Sequence, residues 1–399
     1  MQEEKFPYID RLDETVLDEA ILRFGTPTYV FDVEQAKKRA RAFRGIIGQA
    51  ADLCYAMKAN PFLVRAMAEE VNRIEVCSMG EFRICKQKEI PAEKLLISGV
   101  MKDRDDLWEI LETYGNRCHY TIESLNQYAI LNEWARSSGK KVPVYLRLTS
   151  GNQFGMDEET LTNIMELEQD KDLLEICGIH YFSGTQKKRK KTLEELTYLD
   201  EVFARLKEKT GYQVTELEYG PGLAVPYFAR QADERFETLE AIADALAKMQ
   251  WQGKVTLEMG RAFVADCGYY ITTVKDTKRS GDQNYCIIDG GMHQVNYDGQ
   301  IRGMYQPKLT IRPQGARGIY QNWTICGELC TGNDILVQNI KIDDLRVGST
   351  IIFENTGAYA VMEGMALFLS HVLPAVVLYD PVGGFTQVRA RRETYVWNS

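Results

Sequence analysis

Short apolar runs alternate with longer amphipathic stretches through the first two thirds of the chain, separated by polar or glycine-containing loops. The short runs are typical of strands, and the longer stretches carry apolar residues at helical spacing. The apolar runs begin near Leu53, Ile74, Leu95, Tyr120, Val144, Ile176, Leu217 and Val255. This alternation predicts a parallel sheet, and eight units fit an α/β fold of the (β/α)8 TIM-barrel type, which takes about 250 residues. A doubly wound open sheet is the alternative.

The pattern changes after Arg261, where short strand-like runs separated by turn residues replace the alternation of strands and helices. The runs cover residues 269–274, 285–288, 309–311, 322–325, 335–337 and 349–353. They predict an all-β domain, either a small barrel or a sandwich. We therefore expect the barrel over residues 28–263. We expect residues 264–399 to form the β domain together with residues 1–27, which include an amphipathic helix that stops at Gly25.

Composition narrows the function classes. The net charge of −9 argues against a surface for nucleic acid or anionic membranes. No stretch approaches ~18 consecutive apolar residues, and the polar start Met1–Lys5 has no secretory pattern, so we expect a cytoplasmic protein without a membrane span. The nine cysteines show neither a C-x-x-C pair nor Cys/His ligand spacing, which predicts reduced thiols and no metal site. The basic run 187–191 is interpreted as a solvated loop or helix start; the alternative is a dock for an acidic partner.

Lys58 is the first candidate for chemistry. It ends the apolar run Leu53–Met57 and precedes Asn60-Pro61, which stops regular structure. A lysine at such a strand end usually only caps the strand. Against apolar walls, however, its amine would lose hydration and could act as a nucleophile.

The predicted strand ends collect polar groups, because catalytic residues of such barrels gather where the strands end. These ends carry Lys58, Cys77-Ser78, Ser98-Gly99, Glu123-Ser124, Arg147, Ser183-Gly184-Thr185, Gly220-Pro221-Gly222 and Glu258-Met259-Gly260-Arg261. Glycine turns beside a hydroxyl and an arginine suit a phosphate group, although Gly-Pro-Gly alone could be a tight turn. A phosphate site, a nucleophilic lysine and a carboxylate at one barrel mouth together suggest pyridoxal 5′-phosphate.

Seven segments then resemble, in order, the motifs of one enzyme family. The segments are 55–60, 75–81, 180–186, 258–261, 288–292, 330–334 and 357–359. The family is the alanine-racemase-like (fold type III) pyridoxal-phosphate decarboxylases, the group that contains diaminopimelate and ornithine decarboxylases. The resemblance covers nearly the whole chain. It implies decarboxylation of an amino acid and a homodimer with shared active sites.

The resemblance also implies roles for individual residues. Lys58 would form the Schiff base with the cofactor, and Glu258 would pair with the pyridine nitrogen and stabilise the quinonoid. Cys330 would donate the proton after CO₂ leaves, reaching into the partner's site. The implied cofactor-binding residues are Phe182 for stacking on the ring, in place of the usual histidine, Thr185, Gly220, Gly222, Arg261 and Tyr359 for the phosphate, and Gly260 within the Glu-Met-Gly-Arg segment. The candidate substrate residues are Arg147, Arg302, Thr331 and Asp334.

Two departures from the family pattern concern the substrate. Diaminopimelate decarboxylases carry a glutamate where this chain has Thr331, and threonine cannot pair with an ammonium group in that way. The run 182–186 and the long loop 292–302 look more similar to a subgroup of secondary biosynthesis, one class of which decarboxylates an amino acid tethered to an acyl-carrier protein. An acyl- or peptidyl-carrier protein is therefore a possible partner, and Arg302 is either a substrate ligand or a solvated loop arginine.

Two other functions fit the same scaffold. Racemases of this fold place an arginine at the pyridine nitrogen, so Glu258 favours a decarboxylase. A non-catalytic relative, like the antizyme inhibitors that resemble ornithine decarboxylase, would lose cofactor-binding residues, and this chain keeps Lys58, Glu258, Arg261, Cys330 and Tyr359.

Overall fold

A computed structural model describes residues 9–313 and 317–399 of the chain. They form two compact units. The β unit takes in residues 9–39, 226–233, 263–313 and 317–399, and the barrel unit takes in residues 40–225 and 234–262. Within the described residues, no helix is long and apolar enough to cross a membrane.

The chain begins with helix α1 (Glu14–Phe24), strand β1 (Thr28–Asp32) and helix α2 (Val33–Ile47). The side chain of Asp13 caps α1 by accepting a hydrogen bond from the Thr15 amide, and Gly25, with φ +65°, ends the helix. The expected helix that stops at Gly25 is therefore present.

The barrel unit is a closed ring of eight parallel strands, each paired with the next in the chain, and the last strand pairs with the first. The strands are β2 (Asp52–Ala56), β3 (Arg73–Val76), β4 (Leu95–Ile97), β5 (His119–Ile122), β6 (Val142–Arg147), β7 (Leu174–Phe182), β8 (Glu216–Gly220) and β9 (Lys254–Met259). The predicted (β/α)8 barrel is confirmed, and the open sheet is excluded. Each predicted strand start lies within two residues of the observed one.

Helices follow the strands. They are α3 (Val64–Glu70), α4 (Met79–Gln87), α5 (Arg104–Tyr114), α6 (Leu125–Ser138), α7 (Glu158–Lys171), α8 (Arg189–Thr210), α9 (Arg235–Leu246) and the short α10 (Arg261–Val264). Two strand-to-helix turns use the same device: Ser78 and Ser124 cap α4 and α6 by accepting backbone hydrogen bonds from Glu81 and Gln127. The sequence pattern Ser-x-x-Glu/Gln predicts this start.

The β unit is built on a sheet with the strand order β14-β13-β11-β10-β1-β16-β17, and β15 joins it through β10 and carries β12. The strands are β10 (Gly268–Ser280), β11 (Gln283–Ile288), β12 (Leu309–Arg312), β13 (Tyr320–Cys326), β14 (Ile335–Asp343), β15 (Thr350–Glu354), β16 (Ala375–Asp380) and β17 (Gly384–Arg389). The expected all-β domain is therefore present. It also contains β16 and β17, which the sequence pattern did not predict.

The sequence-based boundary at residue 28 differs from the structure. It assigned Thr28–Asp32 to the barrel domain, whereas β1 lies between β10 and β16 in the sheet of the β unit. All five residues of β1 are buried, and such a strand needs neighbours on both edges for its backbone hydrogen bonds. Of the N-terminal segment 1–27, which was expected in the β domain, residues 1–8 lie outside the described residues.

Candidate active site

Lys58 lies directly after β2, in the short 3-10 turn Met57–Ala59. Its Nζ donates hydrogen bonds to Oε2 of Glu75 at 2.8 Å and Oε1 at 3.1 Å, and it lies 3.5 Å from Sγ of Cys77. The Glu75 side chain is buried, whereas that of Lys58 is 37% exposed. The amine, for which apolar walls were expected, thus contacts a buried carboxylate.

Glu258 lies near the end of β9 and contacts His180 of β7. The distance between His180 Nε2 and Glu258 Oε2 is 2.9 Å, and both side chains are buried. Burial alone would raise the pKa of Glu258. The charge and hydrogen bond of His180, helped by the charges of Lys58 and Arg147, outweigh burial and lower the pKa to about 2. Glu258 therefore carries a negative charge inside the barrel at neutral pH.

Arg147, at the end of β6, is already paired within the barrel unit. Its Nη1 donates to Oε1 of Glu123 at 2.9 Å, both side chains are buried, and the guanidinium lies over the Phe154 ring with a centroid distance of 4.9 Å. The sequence analysis noted Glu123 only as a strand end and did not foresee this pair. Arg147 of this pair places a positive charge near Glu258, and that charge helps to lower the pKa of Glu258.

The glycine turns after β7 and β8 form one structure. Phe182 and Gly220 are direct partners in the parallel pair, and a Cβ on Gly220 would lie 2.4 Å from the Phe182 ring. Gly222 has φ +60°, and a Cβ there would lie 2.2 Å from the carbonyl oxygen of Gly184. The amide of Lys187 donates to the carbonyl of Gly222 at 2.9 Å. Only glycine leaves space at these two positions, so the turns form a close backbone cradle.

The predicted phosphate residue Thr185 lies exposed in the same loop. Arg261 begins α10, directly after Gly260 at the end of β9. The barrel unit therefore brings Thr185, Gly220 and Gly222 together at neighbouring strand ends. Arg261 and Gly260 lie at the end of the strand that follows β8.

Lys187 departs from the expected solvated basic run. Its Nζ donates to Glu195 at 2.5 Å, to Oγ of Ser183 at 3.1 Å and to the carbonyl of Gly220 at 3.2 Å. Its side chain is buried, and burial lowers the pKa of Lys187. No local signal separates Lys187 from the next four basic residues, because its partner Glu195 lies on the following helix. Lys188 and Lys190, in contrast, are exposed at the start of α8.

In the β unit, the predicted residues Cys330, Thr331 and Asp334 share one loop between β13 and β14. Cys330 is an exposed residue with a free thiol. Asp334 is buried, and its two carboxylate oxygens accept hydrogen bonds from the amides of Met292 at 2.8 Å and Leu329 at 2.9 Å. Burial raises the pKa of Asp334 despite these bonds. The carboxylate fixes the loop that carries the exposed thiol.

Two further predicted residues lie elsewhere in the β unit. Arg302 is exposed, has φ +53°, and borders a cavity of about 200 Å³ that Asn333 also lines. Tyr359 is half-buried with φ +63°, and its carbonyl accepts a hydrogen bond from the Met362 amide at 2.8 Å.

The barrel residues fit pyridoxal 5′-phosphate. Lys58 supplies a primary amine, Glu258 an ionised carboxylate and Phe182 a half-buried ring. The cradle at Gly220 and Gly222 presents backbone close enough that no Cβ is accommodated. An amine, a carboxylate, an aromatic face and a glycine cradle are the groups that such a cofactor uses in proteins.

Comparison with known proteins agrees with this chemistry. The pyridoxal-binding domain of the pyridoxal-dependent decarboxylases matches residues 33–265. The L-glutamyl-[BtrI acyl-carrier protein] decarboxylase of Niallia circulans is 26% identical over 394 residues and covers 92% of each chain. The diaminopimelate decarboxylase of Aquifex aeolicus is 27% identical and covers 88% of each chain. The solved structure of diaminopimelate decarboxylase from M. jannaschii with L-lysine has a TM-score of 0.84 at 23% identity, covering 94% of this chain and 92% of the other, which shows the same fold.

Proposed function

Because the chain belongs to the pyridoxal-dependent decarboxylases, we propose that it removes the α-carboxylate of an amino acid with Lys58, Glu258 and Cys330 as its working residues. Pyridoxal 5′-phosphate supplies an electron sink for the pair left on Cα when CO₂ departs. The remaining task of the protein is to hold that cofactor, keep its ring nitrogen paired with a negative charge and return a proton to Cα.

Lys58 is the residue that holds the cofactor covalently through Nζ. The bidentate contact with Glu75 fixes the direction of the amine at the end of β2. Glu75 is buried whereas Lys58 is partly exposed, so the carboxylate holds the amine from its buried side. Phe182, Thr185, Gly220, Gly222, Gly260 and Arg261 are the further cofactor-binding residues of the barrel unit, and Tyr359 of the β unit is a candidate phosphate ligand.

The observation that carries the proposal is the ionised, buried Glu258. A carboxylate with a pKa of about 2 stays charged over the whole physiological range and stabilises a protonated ring nitrogen opposite it. His180 holds that carboxylate in place through the 2.9 Å contact. A protonated nitrogen makes the ring the stronger sink, which suits loss of CO₂ better than racemisation.

Cys330 is the proposed proton donor to Cα. Its thiol is exposed on a loop of the β unit that the buried Asp334 fixes by two backbone hydrogen bonds. An exposed thiol on a fixed loop is suited to serve the site of a second copy of the chain. The proton moves from Sγ to Cα, and the resulting thiolate is reprotonated from solvent.

The same chemistry on a carrier-bound amino acid is the second candidate function. Thr331, beside Cys330, offers a hydroxyl rather than a charge, so it suits a substrate whose distal end carries no ammonium group. The N. circulans relative, which is named for a carrier-bound substrate, covers 92% of this chain. Lys188, Arg189 and Lys190 form an exposed basic start of α8, to which an acidic carrier could dock.

Four residues are proposed substrate contacts, and their exposure and hydrogen bonds support them unequally. Arg302 and Thr331 have exposed or half-buried side chains and are the stronger candidates. Arg147 is occupied by Glu123, and the Asp334 carboxylate accepts two backbone hydrogen bonds. Arg147 and Asp334 are therefore the weaker candidates for direct contact with the substrate.

An absorbance spectrum combined with CO₂ detection tests the proposal. The purified chain is loaded with pyridoxal 5′-phosphate and offered a panel of free diamino and dicarboxylic amino acids, and the same amino acids attached to carrier protein. We expect the absorbance of a lysine-bound cofactor and CO₂ from one substrate group. The cofactor absorbance and the CO₂ release should both be lost in Lys58→Ala. Both should be kept in the control Lys86→Ala, which changes an exposed lysine.

The outcomes separate the candidates. CO₂ from a free diamino acid supports a metabolic decarboxylase, and CO₂ only from carrier-bound substrate supports the second candidate. A lysine-bound cofactor without CO₂ from any substrate, but with exchange of the Cα proton, would replace the decarboxylase by a racemase. No cofactor binding at all would overturn the enzyme and favour a binding protein.

A further inference from the structure

Two histidines and a glutamate of the β unit converge beside the loop that carries Cys330 and Asp334. His293 follows β11, Glu328 follows β13, and His371 precedes β16. Within the described residues, their three ligand atoms form a group that lies within 4.8 Å of one another. Oε1 of Glu328 is 3.4 Å from Nε2 of His293 and 3.2 Å from Nδ1 of His371. The two imidazole centroids are 5.2 Å apart.

His293 is buried, with only 2% of its surface exposed. Among the described residues, neither of its ring nitrogens has a hydrogen-bond partner. A buried imidazole without partners is unfavourable, because both nitrogens lose their hydrogen bonds to water. The 3.4 Å separation from Glu328 does not form a hydrogen bond. Nε2 of His293 nevertheless lies near Oε1 of Glu328, the same oxygen that Nδ1 of His371 approaches.

The two separations that involve Glu328 match those of ligands around one metal ion. Ligand atoms at about 2.0–2.1 Å from a tetrahedral zinc ion lie roughly 3.3 Å from each other. The two observed distances to Glu328, 3.4 and 3.2 Å, correspond to that edge length. A direct hydrogen bond between such groups would be about 2.9 Å or shorter. The carboxylate of Glu328 is therefore spaced from both imidazoles as for a shared central ion.

The backbone that carries the three side chains is fixed by hydrogen bonds. The amide of Glu328 donates to the carbonyl of Gly290 at 2.8 Å, and Nε2 of Gln294 donates to the carbonyl of Val372 at 2.8 Å. The first bond joins the segment of Glu328 to the loop that carries His293, and the second joins the segment of His371 to the same loop. A preformed arrangement lowers the entropy lost when a ligand binds.

We propose that His293, Glu328 and His371 form a binding site for a first-row transition-metal dication, with zinc as the test ion. Two imidazoles and one carboxylate suit zinc, cobalt or nickel better than magnesium or calcium, which prefer oxygen ligands alone. The three side chains leave a fourth tetrahedral position for water or a solute ligand. The metal joins three loops of the sheet that are distant in sequence. The expectation of no metal site rested on local ligand spacing, which does not reveal such a group.

Zinc titration of the tag-free holoenzyme by calorimetry tests this site. We expect one zinc ion per chain and a rise in the thermal midpoint on zinc addition. Affinity falls by about 100-fold in His371→Ala and in Glu328→Gln, because each removes one of three ligands. Both side chains are partly exposed, at 27% and 31%, so the variants are expected to fold.

Two controls separate this site from other donors. Cys330→Ser removes the exposed thiol, and Glu363→Gln removes an exposed carboxylate of the same unit; both should bind zinc as the wild type does. Anomalous diffraction at the zinc edge should show a peak between the three ligands. The proposal is overturned if zinc does not bind, if Cys330→Ser abolishes binding, or if the peak lies elsewhere. Because only the metal is titrated, these results do not depend on decarboxylase activity.

Discussion

Glu258 keeps its charge in a position where burial alone would neutralise it. The groups that prevent neutralisation are His180, Lys58 and Arg147, and the net result is a pKa of about 2 in place of the ordinary 4.5. A carboxyl group whose pKa is lower in the folded state stabilises the fold at pH values above 4.5. It loses this contribution as the pH falls towards 2.

Replacing Glu258 by glutamine tests this residue. We expect Glu258→Gln to be less stable than the wild type at pH 6 by about 3 kcal/mol, from the size of the pKa difference. The gap should narrow as the pH falls below 4.5, because the unfolded wild type then binds a proton while Glu258 in the folded protein stays ionised. Urea unfolding at pH 6, 4 and 3 measures this difference in the free energy of unfolding. Glu166→Gln, which changes an exposed glutamate, is the control. A gap that stays constant with pH would contradict the ionised state.

At the scale of elements, the turns after β7 and β8 define the cofactor cradle. Gly222→Ala introduces a Cβ 2.2 Å from the Gly184 carbonyl, and the backbone must shift. We expect the affinity for pyridoxal 5′-phosphate to fall by about 10-fold or more. Gly211→Ala is the matched control, since Gly211 also has positive φ, at +70°, but has no atom within 4 Å of a Cβ. It should lose about 1 kcal/mol of stability and no cofactor affinity. Equal loss of affinity in both variants would contradict the cradle.

The barrel interior also contains a buried ion pair. Nη1 of Arg73 donates to Glu218 at 2.6 Å and to the hydroxyl of Tyr145 at 2.9 Å. Burial raises the pKa of Glu218 to about 7 even with Arg73 beside it. We expect Arg73→Met to lower the free energy of unfolding by about 3 kcal/mol, because it leaves an acid buried without its cation. Arg73→Met/Glu218→Leu should recover most of that loss in urea unfolding. A double variant as unstable as the single one would show that the pair itself stabilises the barrel.

How much of this could be predicted from the sequence depends on the range of the interaction. The barrel strands were predictable because buried parallel strands are short apolar runs between amphipathic helices. The edge strand β17 was not, because it is half-exposed and polar, and β1 was misassigned because its partners are distant in sequence. The pairing of Lys187 with Glu195 and the meeting of His293 with Glu328 also depend on the fold. Lys58 and Glu258 could be named because they lie at predicted strand ends, whereas Cys330 could be named only because it lies in a family-like motif.

At the scale of the whole molecule, the proposal places Lys58 and Cys330 of two different copies in one active site. Lys58→Ala and Cys330→Ala should each reduce decarboxylation by about 1,000-fold. After mixing and reassociation, half of the dimers pair one variant with the other, and each such dimer regains one intact site. We therefore expect about a quarter of the wild-type activity per site. Native mass spectrometry of the mixture, in which the two variants differ in mass, confirms that mixed dimers formed. If mixing restores no activity although mixed dimers form, both residues act within one copy.

The central claim is that the cofactor is attached to Lys58, and borohydride reduction of the holoenzyme followed by peptide mass spectrometry tests it most directly. Reduction makes the lysine–cofactor bond permanent, so the modified residue can be identified. Two buried lysines of the barrel unit have lowered pKa values, Lys102 at about 8 and Lys187, and they are the natural competitors of Lys58. We predict one pyridoxyl phosphate per chain on the peptide that contains Lys58. Modification of Lys102 or Lys187 in its place, or of no lysine, would contradict the account.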